Sequence, residues 1–250
     1  MDLGIEGRTA LVMGASRGIG RGVAEVLARE GAAVALASRS LEAVEQVAGT
    51  LPNRTACFAV DSGDLDAVGE LPAAVEAALG PIEILVVNTG GPPAGAALEH
   101  PQEQWETAYR QLVLAPKTLV ERTVEGMKSR GWGRIANVAS SSVREPIPGL
   151  ALSTAHRMAT VGLFKTLSAE VAGDGITLNT VGTGRIATDR LAEIYGSIEV
   201  AEEVAADEVP AGRLGTPEEY GDLVAFICSD RAAYLTGAVI PLDGGLLRSA

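Results

Sequence analysis

Short apolar runs alternate with longer amphipathic segments along most of the chain. Thr9 to Met13 has the length and composition of a buried strand, and residues 21–30 follow it with helical periodicity. Further apolar runs predict strands at 32–37, 55–60, 83–87, 134–139 and 175–180. Continuously apolar strands between helices are typical of a parallel sheet that is covered on both faces. The pattern therefore predicts one α/β domain over residues 1–250, a doubly wound parallel sheet.

The segments between the strands predict helices at 41–50, 65–79 and 102–128. Pro116 lies inside the last of these, lacks an N–H group and collides with the carbonyl of Leu112, four residues earlier. We therefore expect one long helix that kinks at this point and leaves the Leu112 carbonyl free. Near the C-terminus, Thr216, Pro217 and Glu219 predict a capped helix that runs to Ser229.

Charge and cysteine content narrow the classes of partner. The formal net charge is −12, so nucleic acid and anionic membranes are disfavoured as partners. The only two cysteines, Cys57 and Cys228, lie in apolar segments without metal-ligand spacing, which predicts buried thiols and no metal site. No secretory signal is evident at the N-terminus, and no apolar run reaches the roughly 20 residues of a membrane span. We expect a cytoplasmic protein with a small-molecule substrate.

The stretch Gly14-Ala15-Ser16-Arg17-Gly18-Ile19-Gly20 joins the first strand to the first helix. Glycines in such a turn let the backbone approach a pyrophosphate, whose charge then lies on the free N–H groups of the helix N-terminus. An ordinary strand-to-helix turn is the alternative.

This Gly-x-x-x-Gly-x-Gly spacing resembles that of the short-chain dehydrogenase/reductase family, and the resemblance runs from about Gly7 to Gly245. It extends to Asn88-Thr89-Gly90 and to the Asp243-Gly244-Gly245 ending, which follows a terminal strand. It implies a Rossmann-like sheet of about seven strands, hydride transfer with a nicotinamide cofactor as in 3-oxoacyl-ACP reductases, and a homotetramer or homodimer.

The second strand ends in Ser38-Arg39-Ser40, with no acidic residue for the ribose hydroxyls of NAD. Arg39 and Arg17 favour NADP(H), and two solvated surface arginines are the alternative. Asp61 is implied to lie against the adenine, although it could instead cap the helix at 65–79. The implied cofactor-binding residues are Gly14, Ser16, Arg17, Gly18, Ile19, Gly20, Arg39, Asp61, Ser62, Asn88, Gly90, Ile186 and Thr188.

The implied catalytic residues depart from the family pattern. Ser140 lies where the family has its substrate-binding serine, but the Tyr-x-x-x-Lys positions hold Ser153 and Arg157. Arg157 can still bind ribose hydroxyls and supply positive charge. An aliphatic hydroxyl is a much weaker acid than a phenol, whose pKa is about 10, so Ser153 is a weak substitute for tyrosine.

Another group would then supply the proton. His156 is a candidate because it lies three residues after Ser153 and because histidine is the side chain type that commonly transfers protons, although a packing role is the alternative. The Leu112 carbonyl, where the family has an asparagine, is expected to hold a relay water. Arg144 and Glu145 lie in the loop over the expected site, and residues 185–212 are expected to form a mobile substrate lid.

These residues support an NADP(H)-dependent oxidoreductase that acts on a small carbonyl compound or a conjugated enone. Conjugate reduction of a C=C bond depends less on protonation of a carbonyl oxygen, which suits the missing tyrosine. The alternatives are a catalytically inactive NADP(H)-binding or regulatory protein and, less favoured, a structural protein without a cofactor.

Overall fold

The computed structural model describes residues 1–249 and contains a seven-stranded sheet in which all neighbouring strands are parallel. The strand order is β3-β2-β1-β4-β5-β6-β7. The strands are β1 (Thr9–Met13), β2 (Ala33–Ser38), β3 (Thr55–Ala59), β4 (Ile82–Val87), β5 (Gly133–Ser140), β6 (Ile176–Thr183) and β7 (Val239–Leu242). The predicted doubly wound α/β fold is confirmed.

Nine α-helices accompany these strands within residues 1–249. They are α1 (Gly18–Arg29), α2 (Leu41–Ala48), α3 (Leu65–Leu79), α4 (Gln102–Tyr109), α5 (Ala115–Arg130), α6 (Ala151–Val171), α7 (Asp189–Tyr195), α8 (Ile198–Glu208) and α9 (Pro217–Ile227). Short 3₁₀ turns follow β5, α6 and α9. None of the helices in the described part of the chain is long and apolar enough to cross a membrane.

The core lies on both faces of the sheet because successive strand residues point to opposite sides. Along β1, Ala10 and Val12 pack in one cluster with residues of α1, α2 and α9. Leu11 and Met13 pack in the other cluster with residues of α3, α5 and α6. Strand β1 pairs with β2 on one side and with β4 on the other, so the strand order reverses here. Ligands of doubly wound sheets bind at the carboxyl ends of the strands beside such a point.

The helix predicted at 102–128 is interrupted. A π-helical turn at Arg110–Leu114 separates α4 from α5, and Pro116 lies directly after it. The predicted irregularity is therefore confirmed, but the prediction of a free Leu112 carbonyl is wrong. This buried carbonyl accepts a hydrogen bond from the Thr160 hydroxyl of α6, which ties the two helices together.

The predicted cap of α9 is present in full. The Thr216 hydroxyl accepts from the Glu219 N–H at 3.1 Å, and the Glu219 carboxylate accepts from the Thr216 N–H at 2.9 Å. Cys228, next to the end of this helix, is buried, and burial raises its pKa to about 12. Cys57 is only partly buried, and desolvation raises the pKa of its thiol as well.

Candidate active site

A cleft of about 1700 Å³ opens along the carboxyl ends of the strands. Its lining contains most of the site residues that the sequence suggested: Gly14, Ser16, Arg17, Gly18, Ile19, Arg39, Asp61, Ser62, Asn88, Gly90, Ser140, Ser153, Arg157, Ile186 and Thr188. Gly20 and His156 are not in the lining. The fold therefore brings residues from distant parts of the chain to one surface.

The Gly-rich turn has a backbone that requires glycine. Gly14 and Gly18 have φ values of +62° and +54°, in the left-handed region that favours glycine. A Cβ on Gly20 would collide with the Gly14 carbonyl, so Gly20 allows the turn to close although it does not line the cleft. The Asn88 side chain packs directly against both glycines. A Cβ atom on Gly14 or Gly20 would lie only 2.7 or 2.8 Å from the Asn88 amide nitrogen, so neither position has room for a side chain.

The helix that begins at this turn can receive an anion. No side chain caps the N-terminus of α1, and no acidic residue lies in its first turn. By contrast, Ser40 caps α2 and Asp64 caps α3. Uncapped N–H groups that face a cleft favour a phosphate, so this part of the site fits the pyrophosphate of a dinucleotide.

Two charged side chains of the cleft, Arg39 and Asp61, follow the ends of β2 and β3. Arg39 is exposed and forms no ion pair with any carboxylate in residues 1–249. The Asp61 carboxylate accepts from the Gly63 N–H at 2.8 Å. Because Asp64 is the residue that caps α3, the alternative in which Asp61 caps this helix is wrong.

Arg17 has partners that the sequence did not indicate. Its guanidinium lies 3.3 Å from an Asp189 carboxylate oxygen and 3.8 Å from a Glu193 carboxylate oxygen, both in α7. All three side chains are more than half exposed. The Gly-rich turn is thereby linked to the segment at 185–212.

Ser153 and Arg157 face the cleft one helical turn apart on α6. Arg157 Nε donates to Ser153 Oγ at 3.2 Å, Nη1 donates to the Val138 carbonyl at 2.6 Å, and Nη2 donates to the Gly90 carbonyl. The guanidinium thus uses three of its five N–H groups within the protein. The Ser153 oxygen accepts a hydrogen bond, so its own proton remains to be donated.

Ser140 is prepared in a similar way at the end of β5. Its Oγ accepts from the Ser142 N–H at 3.1 Å, which leaves the hydroxyl proton available.

Burial lowers the pKa of Arg157 to about 10, against an opposing effect of Tyr220, and the positive charge of Arg190 lowers this pKa further. Arg157 is therefore still a cation at neutral pH.

His156 does not face the cleft, which corrects the expectation that it supplies a proton. Its ring is buried, with Nδ1 2.7 Å from the Leu152 carbonyl oxygen, and its centroid lies 5.4 Å from that of Trp105. His156 and Arg157 are consecutive residues of α6, so their side chains point about 100° apart around the helix, and only Arg157 reaches the cleft. His156 is therefore a packing residue, which was the alternative interpretation of this histidine.

Tyr220 is a tyrosine close to Arg157, but its buried position does not let it act as a proton donor in the cleft. It is fully buried beside Arg157, donates to the Val181 carbonyl at 3.3 Å and lies 3.0 Å from the Thr183 hydroxyl. Burial raises its pKa, and its side chain does not line the cleft. It supports the end of β6 at Val181 and Thr183.

Arg190 and Glu145 also line the cleft, and of these two only Glu145 was expected there from the sequence. Arg190 of α7 donates to the Pro92 carbonyl at 2.8 Å. Glu145 accepts from the backbone N–H groups of Arg248 and Ser249 at 2.9 and 2.6 Å, so the C-terminal segment closes one wall. Arg144 points elsewhere and donates to the Val239 carbonyl at 3.2 Å. The sequence placed both Arg144 and Glu145 in the loop over the site, but only Glu145 lines the cleft, and Arg190 carried no signal of its own.

A Gly-rich turn on a parallel sheet, an uncapped helix behind it and polar side chains at the ends of β4 and β5 define a nicotinamide-dependent oxidoreductase site of the Rossmann type. The chain belongs to the short-chain dehydrogenase/reductase family. The profile described as enoyl-(acyl carrier protein) reductase matches residues 14–247.

Individual relatives cover nearly the whole chain. The chain is 32% identical over 244 residues to a 3-oxoacyl-[acyl-carrier-protein] reductase of Vibrio cholerae, covering 98% of this chain and 99% of the relative. Among solved structures it is similar to the L-sorbose reductase of Gluconobacter frateurii in complex with NADPH and L-sorbose, with a TM-score of 0.93, 31% identity and full coverage of both chains. It is also similar to YwfH, an NADPH-dependent reductase involved in bacilysin biosynthesis, with a TM-score of 0.91, 30% identity and coverage of 97% and 99%.

Proposed function

We propose that this protein is an NADP(H)-dependent reductase that transfers hydride to a small carbonyl compound or to a conjugated enone. The observation that carries the proposal is the Ser153–Arg157 pair, which faces the same cleft as Ser140 and the Gly-rich turn. In this proposal Ser153 and Arg157 take the places of the family's tyrosine and lysine.

The preference for NADP(H) rests on the charges near the second strand. Arg39 has no carboxylate partner among residues 1–249, and no acidic residue follows β2 at 39 or 40. Arg17 reaches the cleft from the Gly-rich turn. Two guanidinium groups without a nearby ribose-binding acid favour the 2′-phosphate of NADP(H) over NAD(H).

The bound cofactor would supply the hydride, and the residues of this chain would manage charge on the substrate. Ser140 and Ser153 can each donate a hydrogen bond to one carbonyl oxygen. Arg157 polarises Ser153 through the bond from Nε and adds positive charge beside the oxygen. Donors of this kind stabilise the negative charge that develops on the oxygen during hydride addition.

The weak acidity of serine favours conjugate reduction over ketone reduction. In conjugate reduction the hydride adds to the β-carbon, the C=C electron pair forms a new double bond between the α-carbon and the carbonyl carbon, and the C=O electron pair moves to the oxygen. Water later protonates the α-carbon, and the carbonyl re-forms. The oxygen then carries an enolate charge, which is less basic than the alkoxide of ketone reduction. Hydrogen bonds from Ser140 and Ser153 suffice for such a charge, whereas an alkoxide requires a proton donor.

We propose residues 185–212 as the substrate lid. Helices α7 and α8 share a small apolar cluster with residues that come after them in the chain, and this cluster is separate from the two clusters on the sheet. Its buried members are Ala201, Ala205, Val209 and Leu214, and the partly buried residues packed against them are Ala187, Leu191, Tyr195, Ile198 and Leu246. A segment with its own cluster can move as a unit, and closure would exclude water from the site.

The test is a comparison of ketones and enones with NADPH and NADH, followed through the absorbance of the reduced nicotinamide. The proposal predicts oxidation of NADPH in preference to NADH, with enones reduced faster than the corresponding saturated ketones. If NADPH binds and no substrate of either kind is reduced, the protein is a cofactor-binding protein without turnover.

A further inference from the structure

Two guanidinium groups bind alternate residues, Gly90 and Pro92, of one loop in the cleft. Arg157 donates to the Gly90 carbonyl, and Arg190 donates to the Pro92 carbonyl at 2.8 Å. Between them, a Cβ on Gly91 would lie 3.3 Å from Arg190 Nε. The absence of a side chain at Gly91 therefore lets the Arg190 guanidinium lie flat against the loop.

These two cations have little compensating negative charge. Arg157 is bonded only to two carbonyls and a hydroxyl, and no carboxylate in residues 1–249 forms an ion pair with it. Arg190 has one carboxylate partner, Glu193, at 3.4 Å, and that carboxylate is half exposed and also lies 3.8 Å from Arg17. An exposed pair of this kind stabilises by at most about 1 kcal/mol.

Among residues 1–249, the other carboxylates that line the cleft form no ion pair with Arg157 or Arg190. Asp189 pairs with Arg17, and Glu208 pairs with Arg185. Glu145 holds the backbone of the C-terminal segment. Asp61 follows the end of β3 and accepts from Gly63, and Asp207 forms no ion pair with either arginine. This part of the cleft is thus positive in a chain whose net charge is −12.

We infer that Arg190 of the lid, together with Arg157, selects a substrate that carries a carboxylate group near its reducible carbonyl or C=C bond. This inference rests on the proposed reductase function and names its substrate class, unsaturated or saturated oxo acids. The planar guanidinium of Arg190 can bind a carboxylate through two parallel hydrogen bonds. Because Arg190 lies on α7, the substrate's own charge would hold the lid against the loop at 90–92.

The experiment compares an unsaturated 2-oxo acid, 4-phenyl-2-oxobut-3-enoate, with its methyl ester in the wild-type protein and in Arg190→Gln. The enone of the methyl ester is intrinsically more electrophilic than that of the carboxylate anion, so the measured quantity is the change in the acid-to-ester ratio of kcat/KM between the two proteins. Loss of a charge-assisted hydrogen bond predicts that this ratio falls about tenfold or more in Arg190→Gln, mainly through a higher KM for the acid. Arg190→Lys keeps the charge and should recover part of the ratio.

Arg21→Gln is the matched control. Arg21 lies on α1 outside the cleft lining, pairs with Glu25 at 2.7 Å, and its replacement changes the net charge by the same amount. The ratio should be unchanged in this variant. An unchanged ratio in Arg190→Gln, or an equal fall in Arg21→Gln, overturns the inference while the reductase function stands.

A binding measurement keeps the inference testable even if neither compound is reduced. The NADPH complex is titrated with 4-phenylbutanoate and with 4-phenylbutanamide, which differ only in the charged group, and binding is followed by NADPH fluorescence. We expect tighter binding of the carboxylate, and loss of this preference in Arg190→Gln. Equal binding of the two compounds to the wild-type complex overturns the inference. Absence of reduction by itself contradicts only the proposed function.

Discussion

Arg157 Nε lies 3.2 Å from Ser153 Oγ, one helical turn earlier on α6, and this bond couples a partly buried cation to the hydroxyl at the expected reaction centre. The bond fixes the orientation of the serine, because its oxygen accepts from Arg157 and its proton then points to the cleft. The first predictions depend on this pair.

Replacement of Ser153 by alanine should lower kcat/KM by about 10²-fold, because one of the two donors to the substrate oxygen is lost. The measurement is steady-state oxidation of NADPH with the best enone from the substrate comparison. NADPH affinity should stay within about twofold.

Thr154→Ala is the control for this variant. The Thr154 hydroxyl oxygen is buried, has no hydrogen-bond partner and is not part of the cleft lining. Its removal should leave kcat/KM unchanged. Equal effects of the two substitutions would show that α6 tolerates neither change and that Ser153 has no special part in the reaction.

The pH dependence should report on Arg157. Its active form is the cation, and burial lowers its pKa to about 10, so activity should persist below that pH and fall as the pH rises through it. The measurement is kcat/KM against pH, with circular dichroism to confirm that the protein stays folded.

Arg157→Lys provides the comparison for the pH profile. A lysine has an ordinary pKa of about 10.4, and burial at the same position lowers it, so the alkaline loss of activity should move to lower pH. If the profile is the same in both proteins, another group controls it.

Arg17 links cofactor selectivity to α7, since it pairs with Asp189 and Glu193 in the structure. Asp189→Asn combined with Glu193→Gln should tighten NADPH binding by about two- to fivefold, because exposed ion pairs of up to about 1 kcal/mol no longer compete for Arg17. NADH lacks the 2′-phosphate, so its affinity should change little. Fluorescence titration of both cofactors checks this, and an equal gain for NADH would refute the competition.

The capping box of α9 predicts a measurable loss of stability. Thr216→Ala removes the acceptor of the Glu219 N–H and should lower the free energy of unfolding by about 1 kcal/mol. Urea denaturation measures the change. Thr166→Ala serves as the control, because Thr166 is exposed in the middle of α6 and caps no helix end.

Much of the fold was accessible from the sequence because its signals are local. The bounds of β1 and α3 agree with the predicted Thr9–Met13 and Leu65–Leu79, since turn and cap residues flank both segments. Strand β6 continues to Thr183, beyond the predicted end at residue 180. Asn179, buried in this strand, donates to the Leu235 carbonyl at 2.7 Å, and hydrophobic periodicity does not reveal such a partner.

The candidate site was predictable only where it is built from one short stretch. The Gly-rich turn follows from its own glycines, and Ser153 and Arg157 follow from the resemblance to the family's Tyr-x-x-x-Lys motif, whose two positions lie one turn apart on α6. The pairing of Arg17 with Asp189 spans 172 positions, and the contact of His156 with Trp105 depends on how α4 packs against α6. These relationships depend on tertiary packing, so the sequence suggested His156 for a role that the structure does not support.

Transfer of deuterium from NADPH that is labelled at C4 of the nicotinamide to an enone product is the most direct test of the central claim. The product is analysed by mass spectrometry after incubation with the wild-type protein and with Ser153→Ala. The account predicts one deuterium at the former β-carbon, formed about 10²-fold more slowly by the variant. NADPH that binds tightly and transfers no deuterium to any enone or ketone would contradict it.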